Sequence, residues 1–188
     1  MNKAELIAAI AAKTGDTKKA AEASVNAFVE VVTDALKEGD KAPYFEGINQ
    51  DGKKITLEDF KGKKLILYFY PKDNTSACTI EARDFTAAVP QFEALNAKVI
   101  GVSRDSVKTH EGFCARQELG IELVSDKSEE LCTAFDVIKP KVMYGKPCRG
   151  IVRSTFLIDP QGKLAFEWRG VKVPGHVEAV LEKIRELS

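Results

Sequence analysis

The sequence predicts an α/β domain, a central mixed sheet flanked by helices, preceded by an α-helical hairpin. Three observations carry this. Leu65 to Tyr70 is an unbroken apolar run of strand length, followed by a loop and then a helical pattern. From about residue 39 to the end, strand-like and helix-like segments alternate, the pattern of a sheet covered by helices. Residues 1–38 differ from the rest: they are rich in Ala, hold no Pro and show no strand pattern.

In the hairpin, Leu6, Ile7, Ile10 and Ala11 form one helical stripe. Thr14-Gly15-Asp16-Thr17 reads as a turn, with Thr17 or Asp16 as the cap of the next helix. Ala21, Val25, Phe28, Val29, Val32 and Leu36 form a second stripe, and Gly39 fits the position that ends it. About 35 residues are too few to be stable alone, so the apolar face must dock on its own domain or on another chain.

In the domain, residues 39–188, Phe45–Ile48 and Lys54–Leu57 flank the turn Asn49-Gln50-Asp51-Gly52 and predict a β-hairpin. The 65–70 strand follows, then a helix after Cys78 that Pro90 should kink or divide. Lys98–Val102 is a strand, Ser106–Leu119 a helix, Ile121–Val124 a strand and Glu129–Phe135 a short helix. Residues 139–150 hold two prolines and two glycines and read as a loop. Thr155–Ile158 and Leu164–Trp168 are strands around the Asp159-Pro160-Gln161-Gly162 turn, and Val177–Leu187 is a closing helix.

Composition narrows the function classes. The 188 residues carry 28 basic and 28 acidic side chains, so nothing suggests a polyanion partner. No apolar stretch approaches the ~20 residues that span a bilayer, and the first residues read as an amphipathic helix, not a signal peptide. The expectation is a cytoplasmic, reducing location, where the four cysteines are reactive or buried and not structural disulfides.

Cys78 stands out. It lies in the first turn of a helix, at the end of a core strand. Free amides and the positive end of the helix dipole stabilise a thiolate there, and the thiolate is the nucleophile. The plain alternative is an inert core thiol.

Pro71, Thr75 and Cys78 reproduce the Pro-x-x-x-Thr/Ser-x-x-Cys motif of peroxiredoxins. Tyr68 to Thr75, Gly101 to Ser106, Arg153 to Ile158 and Val171 to His176 resemble the bacterioferritin comigratory protein (peroxiredoxin Q) subfamily, and the likeness covers roughly residues 38–188. It implies a thioredoxin-like fold and a peroxidase that reduces hydrogen peroxide and organic hydroperoxides without metal or cofactor. Cys78 would be the peroxidatic cysteine, oxidised to a sulfenic acid. Thr75, the amides near Cys78 and Arg153 would align the peroxide and stabilise charge, with Pro71, Ser76 and Ala77 shaping the pocket. The subfamily's common Thr-Pro-Gly-Cys is here Thr75-Ser76-Ala77-Cys78, and its frequent second cysteine five residues on is Arg83.

A second branch of the subfamily is similar in placing its resolving cysteine about where Cys114 stands, 36 residues after Cys78. The resemblance therefore implies a Cys78–Cys114 disulfide, reduced by thioredoxin or a similar dithiol. Two cysteines on different helices are not expected within the ~4.4–6.8 Å Cα separation of a disulfide, so local unwinding is expected. Cys148, read as a loop residue, is the second choice. An inert Cys114 would leave a one-Cys enzyme resolved by an external thiol. Cys132 reads as core. His110, four residues before Cys114, reads as a solvated surface residue, and His176 as structural. Neither suggests a metal site.

Residues 1–41 resemble the first two helices of the HU family of bacterial DNA-bending proteins, but the β-arms that grip DNA are missing. Six lysines against seven acids do not suit phosphate binding, so no nucleic acid partner is expected. The hairpin reads either as a homodimerisation element over residues 1–38 or as packing on its own domain. Two further readings stay open: a nucleoid-associated protein with an inactive body, and a redox sensor that oxidises a partner.

Overall fold

The computed structural model describes residues 3–15, 17–24, 38–143 and 146–187. The chain forms two units, residues 1–37 and 38–188. In the first, α1 spans Lys3–Thr14, Gly15 takes the left-handed φ of +76°, and α2 is described over residues 18–24. Thr17 caps α2, its Oγ1 accepting from the Ala20 amide at 3.2 Å. The expected cap alternative Asp16 and the stripe from Val25 to Leu36 lie outside the described residues.

The second unit is built on a seven-stranded sheet in the order β2-β1-β5-β4-β3-β8-β9. β1 (Glu46–Asn49) and β2 (Lys54–Thr56) form the expected hairpin. β3 (Lys64–Phe69) is central, parallel to β4 (Ala97–Ser103) and antiparallel to β8 (Ser154–Ile158). β4 in turn runs parallel to β5 (Glu122–Ser125), and β9 (Leu164–Arg169) closes the far edge. Helices α3 (Ser76–Ala94), α4 (Val107–Gln117), α5 (Glu130–Ala134) and α6 (His176–Glu186) complete it.

β3 is buried from Leu65 onward because the sheet is covered on both faces. Ile66, Tyr68 and Tyr70 pack with Phe85 and Phe92 of α3, Phe113 of α4 and Val177, Val180, Leu181 and Ile184 of α6. On the other face Phe69 meets Phe135 and Phe156. A side chain at Gly101 would collide with the Tyr68 ring at 2.6 Å, so that glycine makes room for the Tyr68–Phe85 stack.

Two expectations are corrected. α3 runs unbroken through Pro90. The helix ends four residues later, so one intrahelical bond is lost, and Ala88 and Phe92 stay buried on either side. Residues 139–150 are not a loop but part of a two-stranded ribbon, β6 (Ile138–Met143) and β7 (Lys146–Ile151). Each strand of such a ribbon has an open edge, where proline costs no ladder bond. Pro140 sits opposite Arg149 and Pro147 opposite Val142.

Candidate active site

The chain leaves β3 at Tyr70, whose amide still bonds to the Val102 carbonyl of β4. Residues 71–75 turn, and Thr75, extended at φ −89° and ψ 150°, starts α3 as its N-cap. The first helical bond runs from the Thr79 amide to the Thr75 carbonyl at 2.9 Å. The amides of Ser76, Ala77 and Cys78 precede it and point out of the helix N-terminus. Cys78 is the third residue of α3 and is buried at 2% exposure. It belongs to the core cluster that also holds Tyr68, Tyr70 and Ala82.

Arg153 arrives from 75 residues away because of strand pairing. Ser154 opens β8 opposite Phe69, the last residue of β3. That register sets Arg153 beside the end of β3, and its Nη2 donates to Cys78 Sγ at 3.1 Å. Its Nη1 donates to Glu81 Oε2 in a short charged bond. One guanidinium thus bridges the sulfur and a carboxylate one helical turn along α3, a use of its rigid fork that lysine cannot copy.

Glu81 was not singled out in the sequence. It is fully buried, and its second oxygen has no partner among the described residues. Burial pushes its carboxyl up to about 7, against the pull of Arg153. The available signal was an acid on the same helix face as Cys78, Ala82 and Phe85. Behind the pair, His176 Nε2 and Thr155 Oγ1 bond at 2.8 Å. Burial, with the Arg153 charge second, pushes the imidazole down to about 4. His176 is therefore neutral at pH 7, in keeping with a structural residue.

Thr75 is exposed, and its hydroxyl donates to the Lys72 carbonyl at 3.1 Å. Ser76 and Ala77 are exposed and Pro71 is half-buried.

All four cysteines are free thiols. Cys114 lies half-buried on α4 and packs against the core cluster that contains Cys78. Burial first, then the Asp73 and Asp51 carboxylates, push its thiol up to about 11. In this state it is protonated. Cys132 is fully buried, and burial pushes its thiol up, with Asp126 adding to the effect. Cys148 lies in β7, half-buried, not in a loop.

His110 corrects the sequence reading. It is not on the surface but completely buried. Its Nδ1 bonds Asp73 Oδ2 at 2.8 Å, and Tyr70 Oη donates to Asp73 Oδ1 at 2.7 Å. A polar residue so placed needs partners in the fold, and they come from the loop before Cys78. Asp73 and Tyr70 were likewise not singled out. The described residues hold no cluster of three or more His, Cys, Asp or Glu side chains that could bind a metal.

A cavity of about 290 Å³ lined by Lys41, Tyr44, Phe60, Leu65 and Ile158 lies at the opposite end of β3. None of the four cysteines lines it.

A buried sulfur in the first turn of a helix thus receives a guanidinium N–H from a side chain that also pairs with a buried carboxylate. Residues 38–167 match the AhpC/TSA family. The chain belongs to that family of peroxiredoxins. It is 54% identical over 134 residues to Peroxiredoxin Bcp of Xanthomonas campestris pv. campestris, covering 71% of this chain and 84% of the relative. It is 46% identical over 150 residues to Peroxiredoxin Bcp of Bacillus subtilis, covering 80% and 96%. Among solved structures, a variant of Xylella fastidiosa PrxQ aligns with a TM-score of 0.77 at 47% identity, over 81% of this chain and 97% of that one. The X. campestris bacterioferritin comigratory protein, solved as a trapped intermediate/ligand complex for its alkyl peroxide reduction activity, aligns at 0.73 and 49% identity, over 76% and 91%. This peroxiredoxin has the thioredoxin-like fold expected of it, and it is a thiol peroxidase. Residues 1–46 separately match the bacterial DNA-binding protein family. No helix among the described residues is long and apolar enough to cross a membrane.

Proposed function

We propose that Cys78 is the peroxidatic nucleophile and that Cys114 resolves it. The thiolate attacks one oxygen of a hydroperoxide, the O–O bond breaks, and the leaving oxygen departs as water or alcohol. Arg153 and the α3 amides neutralise the charge that moves from sulfur to the leaving oxygen. Thr75 keeps its lone pairs for the peroxide O–H, since its own proton is spent on Lys72. The observation that carries this reading is the 3.1 Å bond from Arg153 to Cys78 Sγ.

Cys114 then attacks the Cys78 sulfenic acid, releasing water and forming a disulfide. Its half-buried thiol lies on a different helix from Cys78. Unwinding of α4, of the first turn of α3, or of both brings the sulfurs together and also removes the burial that keeps Cys114 protonated. Thioredoxin or a similar dithiol then exchanges with the disulfide and restores both thiols.

Residues 1–38 act as a homodimerisation element and do not bind nucleic acid. Residues 1–46 match a bacterial DNA-binding protein family, but the net negative charge of residues 1–41 does not suit phosphate binding. A reducing, cytoplasmic location suits a cycle that begins with four free thiols.

Single-turnover stopped flow with hydrogen peroxide and with an alkyl hydroperoxide tests the assignment. Cys78→Ser abolishes peroxide consumption. Cys114→Ser consumes one equivalent and then stops with thioredoxin as reductant. Turnover by Cys78→Ser at the wild-type rate would refute it.

A further inference from the structure

We propose that the buried Tyr70–Asp73–His110 cluster is a latch between the loop before Cys78 and helix α4, and that its release sets the rate at which Cys114 reaches oxidised Cys78. The inference rests on the Cys78–Cys114 reading above.

The cluster joins the two elements that must separate. Asp73 belongs to the 71–75 loop and is 4% exposed, while Tyr70 and His110 are buried almost completely. Its carboxylate takes the Tyr70 hydroxyl on one oxygen and His110 Nδ1 on the other, at 2.7 and 2.8 Å. With a carboxylate as acceptor, Nδ1 carries the proton. His110 stands one turn before Cys114 on α4, on the same helix face. His110 Nε2 has no partner among the described residues, so the ring is held through Nδ1, by Asp73 at 2.8 Å and by the Tyr70 hydroxyl at 3.4 Å. Two more bonds reinforce the join. The Asp73 amide donates to Asp105 Oδ2 at 2.8 Å, just before α4, and Ser103 Oγ holds the same oxygen. Near the end of α4, Arg116 Nη2 donates to Asn74 Oδ1 at 2.9 Å.

None of these groups bonds the Cys78 sulfur, so they are positioning residues and not catalytic ones. Breaking these buried hydrogen bonds leaves desolvated polar groups without partners and is costly. The latch therefore holds α4 folded, with Cys114 half-buried and protonated, until it opens. During that delay the sulfenic acid has two fates. Attack by the Cys114 thiol gives a disulfide and water. Attack on a second hydroperoxide gives a sulfinic acid and water or alcohol. A tighter latch favours the second fate, so the cluster tunes sensitivity to overoxidation.

The test is rapid-mixing kinetics on the full chain, with hydrogen peroxide, separating sulfenate formation from disulfide formation. Quantitative mass spectrometry of Cys78 sulfinate against peroxide concentration accompanies it. His110→Ala should speed the disulfide step by about tenfold or more. The peroxide concentration for half-overoxidation should rise by the same factor. Sulfenate formation should stay within about twofold, because the group removed does not touch the sulfur. His110→Gln, which retains an N–H donor, should fall between. Arg116→Ala removes an exposed tie that does not threaten folding and should shift both readouts the same way by about two- to threefold. An unchanged or slower disulfide step in His110→Ala, or in Arg116→Ala should His110→Ala not fold, overturns the latch. Absence of a Cys78–Cys114 disulfide in the wild type would instead remove the reading on which it rests.

Discussion

Arg153 Nη2 lies 3.1 Å from Cys78 Sγ, donating to the sulfur from a side chain that is itself mostly buried. In the proposed reaction the bond puts a permanent charge where the thiolate forms and where the leaving oxygen takes up charge. Arg153→Met should slow sulfenate formation by about 10²–10³-fold, the range seen when one transition-state donor is removed. Arg153→Lys should recover only a small part, since a point charge cannot hold sulfur and carboxylate together. Stopped-flow rates with hydrogen peroxide check both. A loss of less than about threefold in Arg153→Met would place the guanidinium outside the reaction.

Glu81 and His176 flank Arg153 and titrate in opposite directions. Glu81 is held up at about 7 by burial, so its folded-state contribution is full below the ordinary carboxylate range and is lost as pH rises to about 7. His176 is held down at about 4, so its contribution is full above about 6.5 and is lost as pH falls toward 4. Between about pH 4.5 and 6.5 the two slopes oppose each other. Glu81→Gln should therefore lose stability, relative to wild type, as pH falls through that window. His176→Gln should lose relative stability as pH rises through it. Urea denaturation at several pH values reads this directly, and parallel curves for wild type and both variants would contradict it.

Cys114 should be slow to alkylate in the reduced protein. Its thiol is pushed up to about 11 by burial and by nearby carboxylates, so little thiolate exists at pH 8. Iodoacetamide labelling followed by mass spectrometry should show Cys114 labelled at least tenfold more slowly than a free thiol. Cys132 should stay unlabelled until the protein unfolds. Rapid labelling of Cys114 at pH 8 would mean that α4 is already open before oxidation.

The core strand and the helix start that carries Cys78 were legible in the sequence because both are local. Leu65 to Tyr70 is an unbroken apolar run, and Cys78 follows it at a fixed distance. Arg153 was legible only through the family resemblance. Its place beside Cys78 comes from β8 pairing with β3, and no local pattern encodes that register. His110 was misread for the same reason. A histidine on an amphipathic helix looks solvated until Asp73, 37 residues earlier, is folded against it. Pro140 and Pro147 suggested a loop, yet a ribbon with open edges tolerates both. Pro90 suggested a kink or a division, yet the helix is not divided there, and its buried face continues from Ala88 to Phe92.

The N-terminal segment should set the oligomeric state. Light scattering should give a dimer for the full chain and a monomer for residues 39–188. A monomer in both would remove the dimerisation role.

The most direct test of the account is peptide mapping by mass spectrometry after one equivalent of hydrogen peroxide. The account predicts a single disulfide joining Cys78 to Cys114, with Cys132 and Cys148 left as thiols. A persistent Cys78 sulfenic acid, or a Cys78–Cys148 link, would contradict it.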